Sequence, residues 1–197
     1  MPDSLYLRLW FPRFEVADLL PNAVSVMSQF PYSPQRPGIT YLALHPVSWN
    51  EPTVLERRFE PGVTPEEAVM IASDLLHEDY AYVFEANWDL WTPTEDSKQW
   101  ILKPFGVEFI VHGPEFEDGI FEREGQVQVD LGSDAAFLHE EIDLSGTAEA
   151  RVRANIQRLV DFSVKLEKNT QATGRSLWSE SEENLAQKLI ARLQKVQ

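Results

Sequence analysis

Leu5, Leu7, Leu9 and Phe11 alternate with Tyr6, Arg8 and Trp10. Apolar residues at every second position predict a strand with its leucine face buried. Pro12 ends it. The period then changes. Val16, Leu19, Leu20, Ala23, Val24, Met27 and Phe30 recur at three and four, the spacing of a helix with one apolar face. Pro21 fits that helix in its first turn, where its missing N–H is not needed. ITYLALHPV predicts a strand covered on both sides, and TVLERRFE a less regular one. Thr64-Pro65-Glu66-Glu67 is the strongest local signal in the chain. Thr64 can cap a helix, Pro65 can fill its first position, and Glu67 can close a capping box. Ala68, Val69, Ile71, Ala72, Leu75 and Leu76 supply the buried stripe.

Tyr80 to Trp91 alternates again. Tyr80, Tyr82, Phe84, Ala86, Trp88 and Leu90 share one face, and Glu85, Asn87, Asp89 and Trp91 the other. Trp88 is therefore expected in the core. The opening ninety residues read strand, helix, strand, strand, helix, strand. That order is the ferredoxin-like βαββαβ plan, an antiparallel sheet with both helices on one face. It is a likeness of element order, not of residues, and many functions share it. VEFIVH and QVQVDL predict further strands, with the acidic PEFEDGIFEREG between them as a loop or hairpin. Helical spacing runs from Thr147 to about Asn169. NTQATGRS reads as a linker, and Ser179 with Glu182 as the cap of a last two-faced helix. The expected class is α+β: an extended antiparallel sheet over residues 1–145, with a C-terminal helical pair over residues 146–197 packed on it.

This plan makes the first and fourth strands antiparallel neighbours. Their polar faces would then merge, bringing Tyr6, Arg8 and Trp10 beside Glu85, Asp89 and Trp91. Arg8 would come within reach of Glu85 or Asp89. Aromatic and charged residues on an uncovered sheet face suit partner binding. A competing expectation is that the C-terminal helices cover this face.

The charge balance narrows the partner. The 32 acids and 17 bases give a formal charge of −15. Such a surface repels phosphate backbones, which argues against nucleic acid and suits a basic protein. RNA-recognition modules present aromatics from a similar sheet face, but no strand here carries their glycine-and-basic signature. No cysteine is present, which removes disulfides and thiolate chemistry. No stretch approaches the roughly 18 apolar residues needed to span a membrane, and the N-terminus lacks a secretory leader pattern. A cytoplasmic protein is expected.

Candidate chemistry is sparse. His77 ends a helical pattern and His45 precedes Pro46. His112 with Glu115, and His139 with Glu140, Glu141 and Asp143, have metal-ligand residue types but no two-ligand helical spacing. No metal or cofactor is expected. Nucleophile-elbow and phosphate-cradling motifs are missing. The resulting expectation is a non-catalytic protein of adaptor or immunity type that binds a protein partner. The alternative is a small-molecule or carbohydrate-binding protein, or a hydrolase, using the aromatic and carboxylate face. The last helix could also pair two copies.

Overall fold

In the computed structural model, residues 4–96, 99–138, 146–179 and 187–189 are described. Seven strands form one sheet: β1 Ser4–Trp10, β2 Tyr41–Pro46, β3 Leu55–Arg58, β4 Tyr80–Pro93, β5 Trp100–His112, β6 Val127–Ser133 and β7 Gly174–Ser179. Their order is β3-β2-β4-β5-β6-β1-β7, and every neighbouring pair is antiparallel. The helices are α1 Leu19–Met27, α2 Pro65–Ser73, α3 Phe121–Glu124, α4 Ala135–Leu138 and α5 Thr147–Asn169.

The two faces differ because strand side chains alternate and the register is unbroken between strand centres. One row runs Leu42, Phe84, Phe109, Val129, Leu7, Leu177 through directly opposed positions of six strands. All but Leu177 are buried, each contributing about 1.5–3 kcal/mol. Helices cover this side. Phe30, just after α1, packs edge-on against Phe109 of β5 and Phe162 of α5, and it also meets Trp88. Phe137 of α4 meets Trp88 as well. The expected placement of Trp88 in the core is correct, at 0 % exposure.

Local signals account for several elements. Thr64 Oγ1 accepts from the Glu67 N–H, and Glu67 Oε2 accepts from the Thr64 N–H, so the capping box starts α2 as expected. The helical spacing from Thr147 matches α5, which ends at Asn169.

Long-range pairing departs from expectation. β1 lies between β6 and β7, separated from β4 by β5 and β6. The ferredoxin-like adjacency of the first and fourth strands does not form. The physical reason is the β4–β5 hairpin, which pairs continuously from Ala81–His112 to Pro93–Trp100 and occupies the side of β4 that β1 would need. The other side of β4 is taken by β2 along Tyr80–Glu85. Beyond that, α5 supplies a substitute. The Asn155 carboxamide accepts from the Trp91 N–H at 2.8 Å and donates to the Trp91 carbonyl at 2.9 Å. A single side chain thus satisfies strand-edge groups that a neighbouring strand would otherwise pair.

The C-terminal region differs too. Residues expected to be a linker and a helix cap form β7, pairing with β1 from Leu5–Ser179 to Trp10–Gly174. Gln187–Leu189 are helical. The remainder of the expected last helix, and with it the suggested pairing of two copies, lies outside the described residues. So does the cluster of His139, Glu140, Glu141 and Asp143. No described helix is long and apolar enough to cross a membrane.

Candidate binding face

The opposite side of the sheet carries no described helix across its centre. A second register row crosses all seven strands there: Arg58, Tyr41, Glu85, Glu108, Asp130, Tyr6 and Trp178, each directly opposite the next. Three carboxylates occupy the middle three strands. Aromatic residues and arginines occupy both ends. Arg58 lies over the Tyr41 ring, 5.3 Å from its centroid. At the other end Tyr6 stacks on Trp178 at 5.7 Å, and the Arg8 guanidinium lies 4.6 Å from the Trp178 ring.

Beside this row the sheet is hollowed into a trough of about 560 Å³. Asn87, Glu85, Glu108 and Asp130 line it, with Arg36 and Arg58 also contributing. Asn87 stands opposite Gly106. A Cβ at Gly106 would meet nothing within 4 Å, so the missing side chain leaves the hollow open. Glycine weakens a strand interior and often marks a close approach by a ligand or another chain.

Like charges directly opposite one another on adjacent strands destabilise a sheet. The protonation equilibria reflect that. Burial, then the charges of Asp130 and Glu85, push the Glu108 carboxyl above its ordinary range. Burial raises Asp130 as well, although its Oδ1 accepts from the Gly132 N–H at 2.8 Å, which opposes the rise. Among the described residues neither these three acids nor Arg36 and Arg58 form an ion pair.

The sequence-predicted residues separate into three places. Tyr6, Arg8 and Trp10 stay together at the β1 end, while Glu85 lies three strand spacings from Tyr6 in the same row. Arg8 meets neither Glu85 nor Asp89. Its partner is Glu124, at 2.6 Å, because β6 and α3 lie where β4 was expected. Trp10 is fixed by the same region: its Nε1–H donates to the Phe121 carbonyl at 3.0 Å. Trp91 is covered by Arg151 of α5, 3.7 Å from the ring centroid. Asp89 is 5 % exposed, and its backbone carbonyl accepts from Arg158. Trp91 and Asp89 thus meet α5 rather than the aromatic end of the row.

Glu108, Asp130, Tyr41, Arg58, Arg36 and Trp178 were not singled out in the sequence, and Asn87 only as a member of the polar side of β4. Alternation in VEFIVH and QVQVDL does turn Glu108 and Asp130 away from the apolar face. Only the strand order sets them next to Glu85.

One end of this face is closed by two loops. Trp49 packs against His45, His112 and Phe116. The Glu117 N–H donates to the Val47 carbonyl at 2.9 Å, and Glu117 Oε1 accepts from the Trp49 N–H at 2.7 Å. Both loop tips have positive φ, 63° at Val47 and 47° at Glu117, so each holds the other in a costly conformation. His112 is 1 % exposed, with its Nδ1 2.8 Å from the Gly125 carbonyl; burial lowers its pKa. His112 and Glu115 belong to no group of three or more metal-ligating residues among the described residues.

Comparison with models of protein families, with curated proteins and with solved structures finds no match.

Proposed function

We propose that this chain is a binding protein of adaptor or immunity type, and that the centre of this polar face receives a basic segment of a protein partner. The observation that carries the reading is the register row. Its three carboxylates, in no ion pair among the described residues, sit between aromatic and arginine pairs, the residue types that dominate protein interfaces. A cationic segment laid across β4, β5 and β6 would relieve the repulsion among Glu85, Glu108 and Asp130. Desolvated opposite charges would then fix its register.

The test is parallel capture from native lysate by the wild-type protein and by Glu85→Gln/Glu108→Gln/Asp130→Asn, at low and moderate salt. A partner retained by the first, lost by the second and weakened by salt supports the reading. Identical captured proteins from both would contradict it. The trough's volume lies within the range of small-ligand pockets, which favours small-molecule binding as the second reading.

A further inference from the structure

The trough holds unspent charge of both signs. Among the described residues Glu85, Glu108 and Asp130 pair with no cation, and Arg36 and Arg58 with no carboxylate, although all five line the same hollow. In a chain with about half as many bases as acids, two arginines that form no ion pair among the described residues, at an acidic site, need a reason. A uniformly basic segment would satisfy the carboxylates and leave the arginines unmatched. A group carrying both signs satisfies both.

We infer that the trough receives the C-terminal residue of the partner, a lysine or arginine with its free carboxylate. This rests on the reading of the face as a protein-binding surface. The side-chain cation meets Glu85, Glu108 and Asp130. The terminal carboxylate meets Arg36 and Arg58, whose planar forks match a carboxylate. Arg58 and Glu108 are three strand spacings apart by register, about 14 Å between Cα atoms. Both side chains are long enough to reduce that gap to the length of one extended basic residue.

Asn87 offers an occupant further polar contacts. It is 8 % exposed and lines the trough, yet its carboxamide makes no hydrogen bond with a described residue. Its polar atoms are not among the buried ones that lack a partner, so they open onto the trough. One carboxamide supplies a donor and an acceptor, matching the C=O and N–H of a terminal peptide unit. Gly106 opposite gives that unit room.

Amide-resolved NMR titration tests this with four probes: acetyl-Gly-Gly-Arg with a free carboxylate, the same tripeptide amidated, acetyl-Gly-Gly-Gln with a free carboxylate, and free arginine. The expected result is a shift of the Asn87, Gly106, Glu108 and Asp130 amides with the first probe. Binding weakens roughly tenfold, about 1.4 kcal/mol, on amidation or on replacing arginine by glutamine. Arg36→Gln/Arg58→Gln, at two exposed positions, should lower the acid peptide to the affinity of the amide. Equal affinity of acid and amide at the trough would overturn the terminal-residue inference and leave the protein-binding reading standing. Absence of any trough shift with either arginine peptide would overturn the inference. If the lysate capture is also indifferent to the carboxylates, the reading falls with it. Free arginine binding as tightly as the tripeptide would overturn the inference in favour of a small-molecule site.

Discussion

Glu108 on β5 and Asp130 on β6 face each other directly across the sheet, and neither forms an ion pair among the described residues. Glu85 completes the line on β4. Folding brings three carboxylates together with no ion pair to any described cation. A folded protein that tolerates this carries a stability cost at the place where a partner could remove it.

The cost has a definite pH dependence. Burial and its acidic neighbours raise the Glu108 pKa in the folded state above the ordinary 4.5. The folded protein therefore holds this proton more tightly than the unfolded chain. The stability linked to the protonated form is complete below the ordinary value and is lost as pH rises through the folded value. Glu108→Gln should thus be more stable than wild type at pH 7, by about 0.2–1 kcal/mol. The advantage should vanish by about pH 4, where the unfolded carboxyl is itself largely protonated. Denaturant midpoints across that range check it.

His112 behaves in the opposite sense. Its pKa is lowered from 6.5 by burial, so the unfolded chain takes up the proton first. The stability it contributes is complete above 6.5 and is lost as pH falls through the folded value. NMR should show the His112 ring still neutral where an exposed histidine is half titrated. His112→Gln should remove the part of the acid destabilisation that begins just below 6.5.

Asn155 predicts a large structural effect without an effect on binding. Its carboxamide serves the N–H and carbonyl of Trp91 and also donates to the Ala136 carbonyl. Asn155→Leu keeps the volume and leaves these groups unpaired, a loss of about 3 kcal/mol. The Trp91 amide should exchange with solvent faster than in wild type. An unchanged midpoint would show that another group covers this strand edge.

Val47 predicts a gain. A valine at φ 63° bears the left-handed penalty of about 1–2 kcal/mol, and at 53 % exposure it gives little packing in return. Asparagine tolerates that conformation. Val47→Asn should raise stability by about 1 kcal/mol, read from the thermal midpoint, because the Glu117 contacts to this loop use backbone atoms of Val47 and Trp49.

Local patterns in the sequence were legible to the residue at Thr64–Glu67 and along α5. The alternation of Leu5–Leu9 and of Tyr82–Leu90 correctly placed Leu5, Leu7, Leu9, Phe84 and Trp88 in the core, although Asn87 and Asp89 on the other side of β4 are buried as well. What periodicity cannot carry is which strand lies beside which. Gly174–Ser179, with a glycine, an arginine and two serines in six residues, has little apolar alternation, so the sequence reads its start as linker and Ser179 as a helix cap. It becomes a strand because the edge of β1 is free to pair with it. The same ambiguity displaced the site. Tyr6 and Glu85 were correctly turned to the polar side, while the order β4-β5-β6-β1 interposed Glu108 and Asp130 between them. Arg8 accordingly found Glu124, and Trp91 found Arg151, through contacts between residues far apart in the chain.

The central claim is that the position of these carboxylates, and not the chain's overall acidity, creates the binding surface. The direct measurement is the affinity of a fluorescent lysine- and arginine-rich peptide for two variants of equal net charge. One neutralises Glu85, Glu108 and Asp130; the other neutralises the exposed Glu51, Glu60 and Asp74. The first should lose at least about tenfold in affinity and the second should bind like wild type. Equal losses in both would show that general acidity, rather than the row across the sheet, attracts the peptide.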